Sequence, residues 1–275
     1  MQVVDLRPMQ TNFQRLLLAH PVTRPALGNP VRYALRALRA IVIHWTANTA
    51  KGANARRNRD YFNNGSIDPK GKPRPASAHF IVDDRTVIQC LPETEVGYHC
   101  GDKPLGKYKP AGLSLMSGYK GLTPNYFTLG IEMCVNADGN WDLTYENTVA
   151  LTAELLLKYG LNEKNGLLRH FDVTGKKCPQ PMIDEAAWAA FRLAVAMRLE
   201  LLEEVAYPSV VDVPAGDVLN VRSQAGSKGE VLYSLSPGER VLIYGGLTAG
   251  WANIGNNRWV NARYLKPAYN GTPAV

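Results

Sequence analysis

Five histidines and four cysteines among 275 residues are few enough for each to be judged by its neighbours. His44 closes the apolar run Ile41-Val42-Ile43, a position from which a side chain projects off a sheet edge into a cleft. His170 lies in Leu167-Leu168-Arg169-His170-Phe171-Asp172-Val173-Thr174-Gly175-Lys176-Lys177-Cys178-Pro179, so an imidazole is followed by a thiol across a glycine-containing turn. One histidine from a strand and a His/Cys pair from one loop make three soft-to-borderline donors. A catalytic zinc takes that number and keeps a fourth position open for water. The spacing alone equally allows His44 to be a hydrogen-bonded structural residue. Glu132 stands inside the apolar run Leu129-Gly130-Ile131-Glu132-Met133-Cys134-Val135. A carboxylate is costly to bury unless it is paired or working, and the alternative is a solvent-facing or salt-bridged side chain. Lys176, just ahead of Cys178, either places a positive charge near the same metal or is a solvated loop lysine.

These residues need elements to hold them. Apolar runs predict strands at Ile41–Ile43, His79–Val82, Thr86–Cys90 and Thr128–Val135. A polar helix is expected over Asn54–Asn63, ended by Asn64-Gly65, with a Pro/Gly-rich loop over 65–77. Helical spacing of Tyr145, Val149, Ala153 and Leu156 predicts a helix capped by Thr144 and stopped by Gly160. A second, capped by Asp184, carries the apolar stripe Trp188, Phe191, Val195, Leu199 and Leu202, the pattern of core packing. After Val205 the helical period ends. Tyr207-Pro208 and 213–217 read as linker, and short alternating segments with glycine turns follow: Leu219 and Val221, then Val231, Tyr233 and Leu235, then Val241 and Ile243. The expected fold class is therefore α/β, a mixed central sheet flanked by helices, followed by a small all-β barrel.

Hydrophobic residues make up 45% of the chain and charged residues 20%, which excludes disorder, collagen and coiled coil. No run approaches the roughly 18 apolar residues of a membrane span, so no membrane insertion is expected. Leu16-Leu17-Leu18-Ala19 is too short for a secretory apolar region. The expectation is a chain made in the cytoplasm that reaches its substrate by lysis or specialised secretion. The net charge of +7 suits an anionic polymer, but the basic residues form no block, so nucleic acid is not an expected partner. Cys90, Cys100 and Cys134 are expected to be free, buried thiols.

The segments IHWTANTAKGANA, ASAHFIVDD, VGYHCGD, LGIEMCVN and RHFDVTGKKCP, in that order, resemble the zinc-dependent N-acetylmuramoyl-L-alanine amidases over about residues 39–200. That family includes phage lysozymes, endolysins, autolysins and peptidoglycan recognition proteins. The resemblance implies zinc (Zn2+) on His44, His170 and Cys178, Glu132 as catalytic acid/base and Lys176 as the charge facing the transition state. His79 and His99 match positions lining the family's cleft, and a structural hydrogen bond explains either equally well. The phage-lysozyme branch has a catalytic Tyr where this chain has Ala78, which fits the branch that uses a strand Glu. Recognition-only members usually lack the thiolate that Cys178 supplies.

The C-terminal segments around Leu219–Ser223, Ser236–Glu239, Gly250-Trp251 and Trp259–Leu265 resemble a bacterial SH3-like domain over 212–267, with 1–206 as the catalytic domain. Trp251, Trp259 and Tyr264 line a groove or pack a core. Bacterial peptidoglycan is the implied partner, and a monomer is expected. A cytosolic amidase recycling soluble muropeptides and a peptidoglycan-binding or interaction protein that does not cut are the competing readings.

Overall fold

The structure is a computed structural model that describes residues 12–65, 67, 70–101 and 107–268. The chain divides into two compact units.

The first takes in residues up to 149 and 163–193. Its strands are β1 (Asn12–Arg15), β2 (Ala40–Trp45), β3 (Phe80–Val82), β4 (Thr86–Gln89), β5 (Thr128–Met133) and β6 (Leu167–Arg169). They form one mixed sheet in the order β1-β4-β3-β5-β2-β6, in which only the β3–β4 pair is antiparallel. The central strands β2 and β5 read as near-continuous apolar runs because both faces of a mostly parallel sheet are covered. The helices are α1 (Ala55–Asn63), α2 (Pro110–Leu115), α3 (Trp141–Tyr159), α4 (His170–Thr174) and α5 (Glu185–Glu203), of which α3 and α5 extend beyond this unit. Asn54 caps α1 through the Arg57 N–H.

Thr144 is not the cap of α3. Asn140 is: its side chain accepts the Leu143 N–H at 3.2 Å, and Thr144 lies one turn inside with its hydroxyl on the Asn140 carbonyl. An asparagine outside the apolar period is as good a cap as a threonine. Asp184 caps α5 as expected, and the whole stripe from Trp188 to Leu202 is buried. Leu18 is fully buried, and the carbonyls of Leu16, Leu17 and Leu18 are held by Arg59 and Arg24. That short apolar run is part of the fold.

The second unit combines residues 150–162 with 194–268. It holds β7 (Ala206–Val211), β8 (Leu219–Arg222), β9 (Val231–Leu235), β10 (Arg240–Tyr244), β11 (Trp251–Asn253), β12 (Trp259–Asn261) and β13 (Leu265–Pro267). Two antiparallel sheets, β10-β7-β13 and β11-β12-β8-β9, share one aliphatic core that includes Val211, Val221, Ile243 and Val260. Tyr207 and Pro208, read as linker, belong to β7. Pro208 lies in the middle strand of its sheet, where its carbonyl accepts the Ala268 N–H at 3.0 Å and its ring nitrogen has no hydrogen to return. Trp251 and Trp259 are half-buried and Tyr264 is 38% exposed; none of the three belongs to that core. Among the described residues no helix is long and apolar enough to cross a membrane.

Candidate metal centre and cleft

The parallel register of three strands builds the site. His44 on β2 pairs with Glu132 on β5, and paired residues of neighbouring strands present side chains on one face. On the other side of β2, Ile43 pairs with Arg169, and β6 then runs directly into α4, so His170 follows beside His44. The two imidazole centroids are 4.7 Å apart. Gly175, at φ 79°, ends α4 in the left-handed region and turns the chain back towards Cys178. The Phe171 N–H bonds the Cys178 carbonyl at 2.9 Å, tying both ends of the loop together.

As a result one donor atom each of His44, His170 and Cys178 lies within 4.8 Å of the others, and all three residues are buried. Cys178 Sγ is 3.7 Å from His44 Nδ1. Burial, then the neighbouring His170 and His99, hold His44 well below its ordinary pKa, so the ring is neutral. Burial and the nearby Glu132 push the Cys178 thiol up to about 12, against the pull of the Trp45 N–H and Lys176. Two imidazoles and a thiol whose anion needs a cation are a donor set that fits zinc.

The other face of His44 is also specified. Its Nε2 is 3.0 Å from His99 Nδ1, and His99 Nε2 is 3.2 Å from Thr128 Oγ1 and 3.4 Å from the Thr128 carbonyl. The Thr128 hydroxyl donates to the Pro124 carbonyl at 2.9 Å. Only one proton ordering satisfies this chain in full: His44 Nε2–H donates to His99, and His99 Nε2–H donates to Thr128. That ordering leaves the lone pair of His44 Nδ1 facing Cys178. Gly130 makes room, since a Cβ there would stand 2.7 Å from the His99 ring.

A cleft of about 450 Å³ is lined by His44, His99, Glu132, Lys176 and Cys178, together with Arg57 and Arg74. Glu132 is partly open to it, while Oε2 is buried with no hydrogen-bond partner among the described residues. Burial pushes its carboxyl up to about 8, opposed by Lys176 and Arg74. Lys176 is exposed. His79, in contrast, is fully buried and does not line the cleft. Its Nε2 donates to the Glu95 carbonyl at 2.9 Å and its Nδ1 accepts the Gly130 N–H at 3.0 Å, so both nitrogens are spent on the backbone and none is left for a substrate. Cys90, Cys100 and Cys134 are buried thiols outside any disulfide.

Arg169 was missed by sequence reasoning. Its buried guanidinium bonds Asp172, Glu185 and the carbonyls of Met182 and Ile183, clamping the loop that carries His170 and Cys178 to the start of α5. An arginine ending an apolar strand beside a candidate ligand was the available sign.

The model of the N-acetylmuramoyl-L-alanine amidase family matches residues 34–181. A probable N-acetylmuramoyl-L-alanine amidase of Bacillus licheniformis is 38% identical over 166 residues, 58% of this chain and 42% of that protein. The N-acetylmuramoyl-L-alanine amidase BlyA of Bacillus subtilis is 35% identical over 167 residues, 60% of this chain and 41% of its own length. The chain thus spans about two-fifths of these curated relatives. The solved catalytic domain of XlyA superposes with a TM-score of 0.50 at 29% identity, covering 67% of this chain and 99% of that domain. A mutant endolysin from Bacillus subtilis gives 0.51 at 28% identity, with the same coverage. All of the ligand set, Glu132 and Lys176 fall within the matched span, and the chain belongs to the N-acetylmuramoyl-L-alanine amidase family.

Proposed function

We propose that this chain is a zinc-dependent peptidoglycan hydrolase that cleaves the amide between the lactyl group of N-acetylmuramic acid and L-alanine of the stem peptide. The observation that carries it is the convergence of His44, His170 and Cys178 within 4.8 Å, in the same cleft as Glu132 and Lys176. Zinc, when bound by those three residues, acidifies a water and polarises the carbonyl. Glu132 takes the proton of the attacking water and returns it to the leaving nitrogen. A carboxyl already displaced towards neutrality is matched to a proton that must be both accepted and released near pH 7. Lys176, on the loop just before Cys178, faces the negative charge that develops on the carbonyl oxygen. His99 holds the His44 tautomer and so acts as a positioning residue. The carboxylate and the complete ligand set favour hydrolysis over binding alone.

Residues 212–267 are proposed as an SH3-like wall-binding module. The support is aromatic side chains left outside the β core at Trp251, Trp259 and Tyr264. A monomer acting on the wall after lysis or specialised secretion is part of the same reading.

Digestion of purified cell wall with analysis of the released ends tests the activity. New amino-terminal L-alanine should appear, vanish after chelation and return with zinc. Release of reducing sugar without new alanine amino groups would refute the assignment. The full chain carrying Trp251→Ala should pellet less with wall while cutting soluble muramoyl peptides at the original rate.

A further inference from the structure

Arg169 ends the apolar strand β6 at only 3% exposure. Burying a guanidinium costs stability unless its charge is paired and its hydrogens are all accepted. Both conditions are met here. Nη1 donates to the Met182 and Ile183 carbonyls, each at 3.1 Å, and Nη2 to Asp172 at 2.8 Å and Glu185 at 2.7 Å. Nε donates to Asp172 at 3.1 Å, so every N–H hydrogen of the guanidinium has an acceptor. The Arg169 backbone N–H bonds Asp172 as well, at 2.8 Å. The planar group is packed against two rings, with Cζ 5.2 Å from the centroids of both Phe171 and Trp188. A well-packed apolar residue often fills such a place with equal or greater stability, so the charge points to a role other than packing.

That role lies in what the fork joins. Arg169 leads directly into His170, and Met182 and Ile183 stand shortly after Cys178. The side chain therefore closes the base of a loop that carries two of the three candidate ligands. Inside the loop, the Phe171 N–H on the Cys178 carbonyl, at 2.9 Å, makes a second closure. His170 lies between the two anchored residues Arg169 and Phe171, and Cys178 is itself an anchor. None of these bonds uses a ring nitrogen of His170 or the Sγ of Cys178, so groups that bind no metal set the spacing of the donors. His44 is held separately, by its place in β2 and by His99. We propose that Arg169 is a positioning residue that pre-sets the spacing of His170 and Cys178, so that the pair need not be gathered from a slack loop by the ion. The proposal rests on the zinc reading and adds that the affinity is in part a property of this arginine. A lysine could not replace it, because a point charge on a flexible stem cannot span two carbonyls and two carboxylates as a rigid fork does.

The test uses the full chain and reads metal affinity, the spectrum of the cobalt-loaded protein, and urea unfolding in excess chelator. Arg169→Lys should weaken zinc about 10- to 100-fold in competition with a chromophoric chelator. Its cobalt form should show shifted or broadened ligand-field bands, because the donors no longer meet the metal at one spacing. Asp172→Asn leaves the arginine in place and removes a charged acceptor, so it should weaken zinc in the same direction by a smaller factor. An arginine that served stability alone would lower the urea midpoint in chelator while zinc affinity and cobalt bands stayed at wild-type values; that outcome overturns the proposal. Should Arg169→Lys fail to fold, Asp172→Asn decides, and wild-type affinity and bands in that variant overturn the proposal equally. A wild type that takes up neither zinc nor cobalt overturns the zinc reading itself, and the positioning role with it.

Discussion

The two units bury different things. The sheet unit takes His44, His79, Arg169 and His170 out of water at exposures of 3% or less. The β unit is filled by valine, leucine and isoleucine, and its buried carboxylate, Glu239, is spent closing a turn on the Ser236 N–H at 2.6 Å. Buried polar groups cost stability unless every donor and acceptor is used. One unit accepts that cost in order to hold chemistry, and the other has no such need. Displaced protonation alone does not mark the site, since burial also raises Cys90, Cys134 and, in the β unit, Tyr244. The cleft is where two such groups, Glu132 and Cys178, line one recess with His44.

Four measurements break or sharpen this contrast. The largest effect is expected from Glu132→Gln, which should keep zinc and fold yet lose roughly 100- to 10,000-fold in kcat. A near-normal rate would place proton transfer on another group. Ile243→Ala, in the β core, should cost about 2–5 kcal/mol in denaturant unfolding and leave zinc affinity unchanged. Altered zinc affinity there would show that the two kinds of burial are not separable. His99→Ala should weaken zinc about 10- to 100-fold in a chelator competition, because His44 then loses the acceptor that fixes its tautomer; wild-type affinity would make the His44–His99 bond incidental.

The smallest effect is a slope. The Glu132 carboxyl is raised to about 8 in the metal-free fold, against roughly 4.3 in an unfolded chain. Between those values the folded state holds a proton that the unfolded state has released, so this group's contribution to stability falls as pH rises. The depressed His44 and His99 act oppositely, losing stability as pH falls below about 6.5. Subtracting Glu132→Gln from wild type isolates the carboxyl. The wild-type urea midpoint minus that of the variant, measured in chelator, should rise steadily from pH 8 down to pH 5; a flat difference would mean that the carboxyl is not displaced.

The cluster of His44, His170 and Cys178 was legible because donor chemistry is written in residue type. A histidine after an apolar strand and a His/Cys pair around a glycine turn need little more than loop geometry to meet. The strands β2 and β5 were legible for the same reason, being long apolar runs. What the sequence hid was pairing. Nothing local says that His44 stands opposite Glu132, or that β6 lies beside β2, since register between strands far apart is a tertiary fact. His79 and His99 looked alike in their motifs, and only the structure separates a backbone-bonded core residue from a partner of His44. Strand β7 was hidden by Pro208, and the first turn of α3 by a cap outside its apolar period.

The row Glu132, His44, His170 has a consequence for how the protein is made. His44 and Cys178 are 134 residues apart, and β6 joins the sheet beside β2 rather than beside β5. No amino-terminal fragment that stops short of Cys178 can bring the full donor set together, however well its early strands have paired. Contacts of such long range form late, because distant ends must first be brought together. On the proposed zinc reading, capture of the ion would then mark the completion of the sheet, and an emerging chain would stay chemically silent until Cys178 is in place.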